Sequence, residues 1–162
     1  MDAKNVSSFS VNHDTLVRGV YVSRKDDVGG NTLTTFDIRM KLPNREPVLG
    51  NPEIHTLEHL FAVYLRSSDS GWADKVVYIG PMGCRTGFYL ILKGDLAVND
   101  ILPLVKGMFA AVVNFAGCIP ATTSIECGNY LEHNPVTAQW EAKKFYDEVL
   151  VDIKPENMAY LV

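Results

Sequence analysis

The stretch NPEIHTLEHLFAVYLR, residues 51–66, places two histidines and a glutamate inside an otherwise apolar segment. Asparagine is a favourable N-cap and proline suits the first helical position, so we expect Asn51 to cap a helix that runs to about Arg66. With 3.6 residues per turn, His55 and His59 then lie on the same face of that helix. The two histidines therefore form a polar stripe on a helix that is otherwise suited to burial.

This pair of histidines predicts a metal-binding helix. Two imidazoles at positions i and i+4 can both reach one divalent cation at about 2.0–2.1 Å. Glu58, directly before the second histidine, supplies a carboxylate that can move protons on a group bound to the metal. A single histidine on an apolar helix is more often a core residue bonded to a backbone carbonyl, but the spacing His-x-x-Glu-His favours a metal. Inverted zinc proteases share this spacing, so it identifies the metal helix better than it identifies a reaction.

Length and composition indicate a single domain over residues 1–162. Apolar residues make up 47% of the chain and charged residues 21%, which is ordinary for a soluble globular protein. The net charge of −4 argues against a nucleic-acid partner, because phosphate contacts need a basic surface. We expect no signal peptide and no membrane span, since neither apolar pattern occurs. Three cysteines without paired spacing predict reduced thiols and a cytoplasmic location.

The remaining pattern predicts an α+β fold. Residues 17–24 and 32–42 flank a glycine-bearing turn, which is typical of a β-hairpin. In the second of these strands apolar residues alternate with Asp37, Arg39 and Lys41, whose side of the strand is expected to face water. We therefore expect two layers, a mainly antiparallel sheet with helices packed on one face. Other segments carry strand or helix patterns: strands at 75–79, 88–92 and 122–125, and helices at 100–115 and 134–150.

One loop carries a cysteine that is a candidate for chemistry. Cys84 lies between Gly83 and Gly87, and glycines allow a bent backbone and the close approach of a ligand. A thiol at such a loop tip is accessible, and the neighbouring Arg85 is expected to favour the thiolate. The alternative is a small side chain tucked under the hairpin.

A second cysteine is a candidate metal ligand. Cys127 lies in a loop, where its soft thiolate could complete a His-His-Cys set and leave the fourth position open, as catalytic sites require. A purely structural site would need a fourth protein ligand, for which His133 is the candidate. Cys118 is expected to pack in the core. His13 and Arg39, each taken alone, are more often surface residues.

Several segments together resemble one family, the S-ribosylhomocysteine lyase (LuxS) family. The resemblance covers most of the chain, with the motifs in the family's order and spacing. In one place the chain departs from it, with Tyr78-Ile79-Gly80 where the family often has Asp-Ile-Ser. The motifs are SFSVNH (8–13), FDIR (36–39), HTLEHLFAVYLR (55–66), PMGCRTGF (81–88) and ECGNYLEH (126–133).

The resemblance implies a specific metal site and two proton-transfer groups. Its metal ligands would be His55, His59 and Cys127, with a water in the fourth place. The family's native ion is Fe(II), and Zn or Co can occupy the site. Glu58 and Cys84 would transfer the protons.

The resemblance also implies a homodimer whose sheets pack together, with two identical sites at the interface. Ser8, His13 and Arg39 would contact the ribosyl hydroxyls or organise the site. This would explain the position of Arg39, because its face of the strand would meet a partner and a substrate.

The implied reaction cleaves the thioether of S-ribosylhomocysteine. Two carbonyl migrations make the proton on C4 acidic, and β-elimination then releases homocysteine and 4,5-dihydroxy-2,3-pentanedione, the precursor of the autoinducer-2 signal of quorum sensing. Homocysteine returns to the methionine cycle. The residues themselves leave two alternatives: a His-x-x-Glu-His metallopeptidase, and a non-catalytic zinc-stabilised domain that His133 closes and in which Cys84 is inert.

Overall fold

A computed structural model describes residues 11–67 and 70–160 of the chain. Within these ranges it contains a four-stranded antiparallel sheet and three α-helices, which confirms the α+β class. Ser8, one of the predicted substrate contacts, lies outside the described residues. The elements are β1 (Gly19–Val28), β2 (Asn31–Arg39), α1 (Asn51–Arg66), β3 (Val76–Pro81), β4 (Gly87–Lys93), α2 (Val98–Val113) and α3 (Pro135–Phe145).

The sheet has the order β1-β2-β4-β3, and every pair of neighbours is antiparallel. The β1–β2 hairpin turns at Gly29 and Gly30, which both have positive φ, as a two-residue turn of this kind requires. Gly87 pairs with Arg39 at the start of β4, where a Cβ would lie 2.0 Å from the carbonyl oxygen of Ile38. Only glycine permits this approach, which brings the β3–β4 loop against the end of β2.

Aromatic side chains connect all three helices with the sheet. Phe61 of α1 packs edge to face on Phe88 of β4, with ring centroids 5.2 Å apart. Phe109 of α2 lies 4.9 Å from Phe61 and 4.9 Å from Phe145 of α3. All four rings are buried, and aromatic pairs of this kind contribute about 0.5–1.5 kcal/mol each beyond the area they bury. None of the helices in the described ranges is long and apolar enough to span a membrane.

The helix starts were predicted to within two residues: α2 begins at Val98 instead of residue 100, and the cap of α1 needs a correction. Helix α1 begins at Asn51 with Gly50 as its N-cap, so the prediction that Asn51 is the cap was wrong by one residue. The carboxylate of Glu53 folds back towards Gly50, where a Cβ would lie 2.0 Å from its Oε2 atom. Helix α3 has its predicted cap, because Asn134 Oδ1 accepts a hydrogen bond of 3.2 Å from the backbone N–H of Thr137.

The predicted strand at 122–125 was wrong, because this segment forms turns. The backbone N–H groups of Glu126 and Cys127 both donate to the carbonyl of Thr123, at 3.1 and 3.0 Å. The hydroxyl of Thr123 also donates to Glu126 Oε2 at 2.7 Å. β-Branched residues favour strands only where a neighbouring strand can pair with them, and here local hydrogen bonds prevail. The turns carry Cys127 towards α1.

The expectation that one side of β2 faces water was also wrong. Asp37, Arg39 and Lys41 are only 1%, 3% and 4% exposed. The hydroxyl of Tyr160 donates to Asp37 Oδ2 at 3.0 Å, so the C-terminal segment lies over this face. Lys41 forms a 2.6 Å ion pair with Glu141. Charges on a strand are tolerated inside a protein when partners compensate them, which the alternation pattern alone does not reveal.

Candidate metal centre and neighbouring thiol

Four potential metal ligands converge at α1. His55 and His59 come from this helix, and Cys127 and His133 come from the segment between α2 and α3. Their ligand atoms all lie within 4.8 Å of one another, and His55 Nε2 is 3.2 Å from Cys127 Sγ. The sulfur also accepts a 3.4 Å hydrogen bond from the backbone N–H of Asn129. This N–H group stabilises negative charge on the sulfur, as a thiolate ligand requires.

Backbone carbonyls determine which nitrogen of each helix histidine faces the cluster. His55 Nδ1 lies 2.9 Å from the carbonyl oxygen of Glu132, and His59 Nδ1 lies 2.8 Å from that of Pro120. Because a carbonyl oxygen only accepts, both Nδ1 atoms must carry the proton. The Nε2 atoms then keep their lone pairs, and this outer contact is the usual way in which proteins orient imidazole ligands.

The same reasoning applies to His133. The hydroxyl of Thr56 donates to the carbonyl of Pro52 at 2.8 Å and accepts from the N–H of Asn134 at 3.0 Å. It therefore has only a lone pair left for His133 Nδ1, 3.2 Å away, which must be the donor. His133 Nε2 is consequently an acceptor, and it is buried without a partner among the described residues.

His133 nevertheless does not have the orientation of a fourth ligand. Its ring stacks on that of His55, with centroids 4.0 Å apart and planes inclined by 23°. An imidazole binds a cation in its own plane at about 2.0–2.1 Å, so an ion in the plane of one stacked ring lies outside the plane of the other. His55 and His59, by contrast, meet edge to face at 4.7 Å.

The chemistry of the remaining donors fits a metal. Two imidazole nitrogens and one thiolate form a borderline-soft set that suits divalent zinc, iron or cobalt. Burial, followed by the neighbouring His55 and His59, lowers the pKa of His133, which keeps its ring neutral near pH 7. The structure thus brings together the predicted ligands His55, His59 and Cys127, with the acceptor atom of His133 beside them.

Cys84 is exposed at the tip of the β3–β4 loop, as predicted. The loop is attached to the start of α1, because Leu49 N–H donates to the carbonyl of Arg85 at 3.0 Å. Arg85 was expected to favour the thiolate, but its guanidinium lies towards Asn51 Oδ1, at 3.5 Å. The cation that contacts the sulfur is Arg39, whose Nη1 atom is 3.9 Å from Cys84 Sγ.

Arg39 is held by two further contacts. Its Nη2 atom donates to Asp37 Oδ2 at 2.5 Å, and its Nη1 atom donates to Thr86 Oγ1 at 2.6 Å. Burial acts to lower the pKa of Arg39, but the charge and hydrogen bond of Asp37, together with smaller effects of Cys84 and Tyr89, outweigh burial and raise it. Burial raises the pKa of Asp37, and the charges of Arg39 and His13 oppose this. The predicted site residues Arg39 and His13 are therefore both near Asp37.

Glu58 and Cys118, which the sequence analysis also singled out, differ in exposure. Glu58 is half-buried on α1, directly before His59. Cys118 was expected to pack in the core, but it is exposed, because the segment after α2 runs over the surface. Neither position could be read from residue type, since both residues lie in apolar stretches.

Tyr78 and Gly80, the two positions at which the stretch Tyr78-Ile79-Gly80 differs from Asp-Ile-Ser, contact each other in the structure. The side chain of Tyr78 lies against Gly80 on edge strand β3, where a Cβ would be 1.9 Å from the tyrosine hydroxyl. A side chain at position 80 would therefore require the ring of Tyr78 to move from this position. Tyr78 remains 48% exposed, so its ring is available on the surface.

The residues that sequence reasoning missed are the threonines that organise the site. Thr56 fixes the orientation of His133, and Thr86 lies between Arg39 and Cys84. Both are buried, at 0% and 4% exposure. A threonine in a helix or a loop has no distinctive local pattern, so only burial of its hydroxyl could have indicated a role.

Comparison with known proteins agrees with the family resemblance of the sequence. The S-ribosylhomocysteine lyase of Phocaeicola vulgatus is 52% identical over 157 residues, which cover 97% of this chain and 97% of that protein. The enzymes of the same name from Desulfotalea psychrophila and Clostridium acetobutylicum are 49% and 50% identical, over 97% of this chain and 98% of their own lengths. A model of one family matches residues 6–156, which include every predicted ligand and the Cys84 loop. The chain therefore belongs to the S-ribosylhomocysteinase (LuxS) family.

Proposed function

We propose that this protein is a metal-dependent S-ribosylhomocysteine lyase, which cleaves its substrate to homocysteine and 4,5-dihydroxy-2,3-pentanedione. The family and the names of its relatives support this reaction. The structural observation that carries it is the convergence of two imidazoles and a cysteine sulfur at α1, with the Cys84 loop hydrogen-bonded to Leu49 just before that helix. The metallopeptidase alternative is not favoured by these comparisons. The structural zinc alternative is not favoured either, because His133 stacks on His55 instead of radiating from a common ion.

One divalent cation per subunit would be held by His55, His59 and Cys127. The donor set is compatible with Fe(II), the ion of the family, and with Zn or Co. When bound, the cation supplies Lewis-acid stabilisation of the negative charge that develops on substrate oxygens. The unpartnered Nε2 atom of His133 beside the three ligands would accept a hydrogen bond from a substrate hydroxyl.

The reaction needs groups that repeatedly take and return protons at carbon. We assign this to Cys84 and Glu58, on two sides of the ribosyl chain. Arg39, with its raised pKa, remains a cation, and its Nη1 atom lies 3.9 Å from the sulfur. A positive charge therefore lies beside the atom that must carry negative charge when it acts as a base. In each migration a proton leaves the carbon beside the carbonyl and a proton returns to the former carbonyl carbon, while the hydroxyl proton moves between the two oxygens. The carbonyl moves in this way first to C2 and then to C3. The C4 proton then becomes acidic enough for β-elimination to expel the thiolate of homocysteine.

Substrate contacts would come from Ser8, His13 and Arg39. The Nε atom of Arg39 is a buried donor without a hydrogen-bond partner among residues 11–67 and 70–160, and such a donor is costly unless it is satisfied. A ribosyl hydroxyl is an acceptor of suitable size. The chain would act as one catalytic domain in the reducing cytoplasm, where its free thiols stay reduced.

The working form would be a homodimer that packs through the outer face of the sheet, with a site at each end of the interface. Asp37 Oδ1 and Arg39 Nε on this face lack hydrogen-bond partners among the described residues. This supports the proposal, because a second subunit that packs beside the C-terminal segment could supply polar partners for them. Sedimentation at micromolar concentration is expected to show a dimer. Full activity in a species that sediments as a monomer would rule the interface site out.

Anaerobic incubation of the metal-loaded protein with S-ribosylhomocysteine tests the function directly. We expect one new free thiol for each substrate molecule consumed, because elimination converts a thioether into a thiol. Titration with a thiol reagent, after subtraction of the protein's own cysteines, measures it. Metal-free protein and an unrelated peptide substrate serve as controls. Peptide cleavage without thiol release would favour the metallopeptidase instead.

A further inference from the structure

We propose that Thr86 is a positioning residue for Cys84. Its hydroxyl accepts a hydrogen bond from the buried Arg39 and donates one to the exposed sulfur of Cys84. Thr86 Oγ1 is 2.6 Å from Arg39 Nη1 and 3.1 Å from Cys84 Sγ. Arg39 itself is farther from the sulfur, at 3.9 Å. This role rests on the proposed function of Cys84 in proton transfer. The Thr86 hydroxyl would hold the sulfur in place and stabilise the negative charge that the sulfur carries when it acts as a base.

The direction of the two hydrogen bonds follows from the donors available. A guanidinium has five N–H donors and no acceptor, so the short contact obliges Thr86 Oγ1 to accept from Arg39. The single hydroxyl proton is then left for another acceptor. Met82 Sδ is 4.0 Å away and a thioether is a weak acceptor, whereas Cys84 Sγ is 3.1 Å away. The hydroxyl proton therefore goes to Cys84, and it binds a thiolate more strongly than a thiol.

The hydroxyl can serve both protonation states of the cysteine. A threonine oxygen has two lone pairs, and Arg39 uses only one of them. When Cys84 is a thiolate, Thr86 donates to it, and when Cys84 has taken a proton, its S–H can donate to the free lone pair. The sulfur thus keeps the same neighbour while its proton comes and goes, which suits a group that transfers protons several times in one turnover.

The surrounding backbone holds Thr86 in place. Its carbonyl accepts from the N–H groups of Met40 and Lys41, at 2.9 and 3.0 Å, directly after β2. Arg85, between the cysteine and the threonine, has φ of 58°, an uncommon value for a residue with a side chain. Strained backbone of this kind is often retained where side chains must be aimed. Among the described residues, Arg39 is a charged group in contact with both the cysteine and the threonine, and it is paired with Asp37. Arg85, between them in sequence, lies towards Asn51.

The test compares Thr86→Val, which keeps the shape and removes the hydroxyl, with Thr86→Ser, which keeps the hydroxyl. Both are made in a Cys118→Ser background and loaded with metal, so that Cys84 is the accessible thiol that is not a ligand. The rate at which Cys84 reacts with 4,4′-dithiodipyridine is followed by peptide mass from pH 5 to pH 10. Metal content and melting temperature are measured first, because valine leaves Arg39 Nη1 without its acceptor.

We expect the Thr86→Val reaction rate to fall about fivefold at pH 7. Loss of a hydrogen bond to a charged group is expected to lower the thiolate fraction roughly 10- to 100-fold. The less stabilised thiolate is intrinsically more nucleophilic, which offsets part of this loss. At pH 10 the variant is expected to react at least as fast as the parent, and this crossover would not result from a loosened loop. Thr86→Ser is expected to follow the parent at both pH values.

Turnover gives the second measurement. Thr86→Val is expected to lower kcat about tenfold with little change in KM, because Thr86 acts through Cys84, and serine is expected to restore it. An unchanged pH profile for the valine variant, or an equal change in the serine variant, would overturn the proposal. If the valine variant does not fold, the Thr86→Ala and Thr86→Ser pair makes the same comparison. A shifted thiol profile with unaltered turnover would support the contact and instead remove Cys84 from the proposed reaction.

Discussion

Replacement of Cys84 by alanine is expected to lower thiol release from S-ribosylhomocysteine about 10³-fold while the metal stays bound. The expected loss corresponds to a missing acid–base group, which typically contributes about 10²–10⁴-fold. The metal should remain because Cys84 is not a member of the His55, His59, Cys127 and His133 group. Initial rates of thiol release, measured at equal metal content, give the comparison.

Cys118→Ala is the matched control for this experiment, because Cys118 is also exposed but lies in a different segment of the chain. It should retain the parent rate, which would show that loss of any surface thiol is not the cause. A Cys84→Ala protein with normal turnover would exclude the proposed role of Cys84. A Cys84→Ala protein that has lost its metal would instead assign Cys84 to the metal shell.

Replacement of Cys127 by alanine is expected to remove the metal. The thiolate is the only donor of the proposed three with a full negative charge, and two imidazoles alone leave half of a four-coordinate shell to water. Metal per subunit after gel filtration should fall from about one equivalent to a small fraction of it, and activity should fall with it. A bound ligand at about 1,000 times its Kd stabilises a fold by about 4 kcal/mol, so chelation should lower the melting temperature of the parent protein only.

His133→Ala is the matched control for the metal experiment. His133 belongs to the same group of donors, but its ring stacks on His55, so we expect it to be a neighbour of the site and not a ligand. Loss of such an outer contact typically costs about 10–100-fold in metal affinity, which leaves the metal bound at micromolar protein. Equal loss of metal in His133→Ala and Cys127→Ala would favour the structural site with four protein ligands.

Much of the fold was predictable because local patterns determine it. The extent of α1 followed from Asn51 and Pro52 at its start and from the mostly apolar stretch that continues to Arg66, and α3 has its predicted asparagine cap. The errors occurred where longer-range contacts prevail. The β-branched residues at 122–125 form turns instead of a strand, and Asp37 and Arg39 are buried although strand alternation predicted an exposed face.

For the site, residue type and spacing identified the candidate chemistry but not its partners. Arg85 was the expected neighbour of the Cys84 thiol because it is adjacent in sequence, yet the contact comes from Arg39, 45 residues away. Thr86 gave no signal at all, since a threonine in a loop is common. Its role depends on burial of the hydroxyl and on the guanidinium that β2 brings to it.

By itself, the sequence determined that this protein has a helix with two histidines on one face, a cysteine-bearing loop between two strands and an α+β fold. These features depend on periods of two to four residues, which are the ranges over which helices and strands place side chains. Only the tertiary structure decided that Arg39 and Thr86 face Cys84, and that His133 stacks on His55 with its lone pair free. Those contacts join positions up to 78 residues apart, so they exist only after the sheet and the helices have packed.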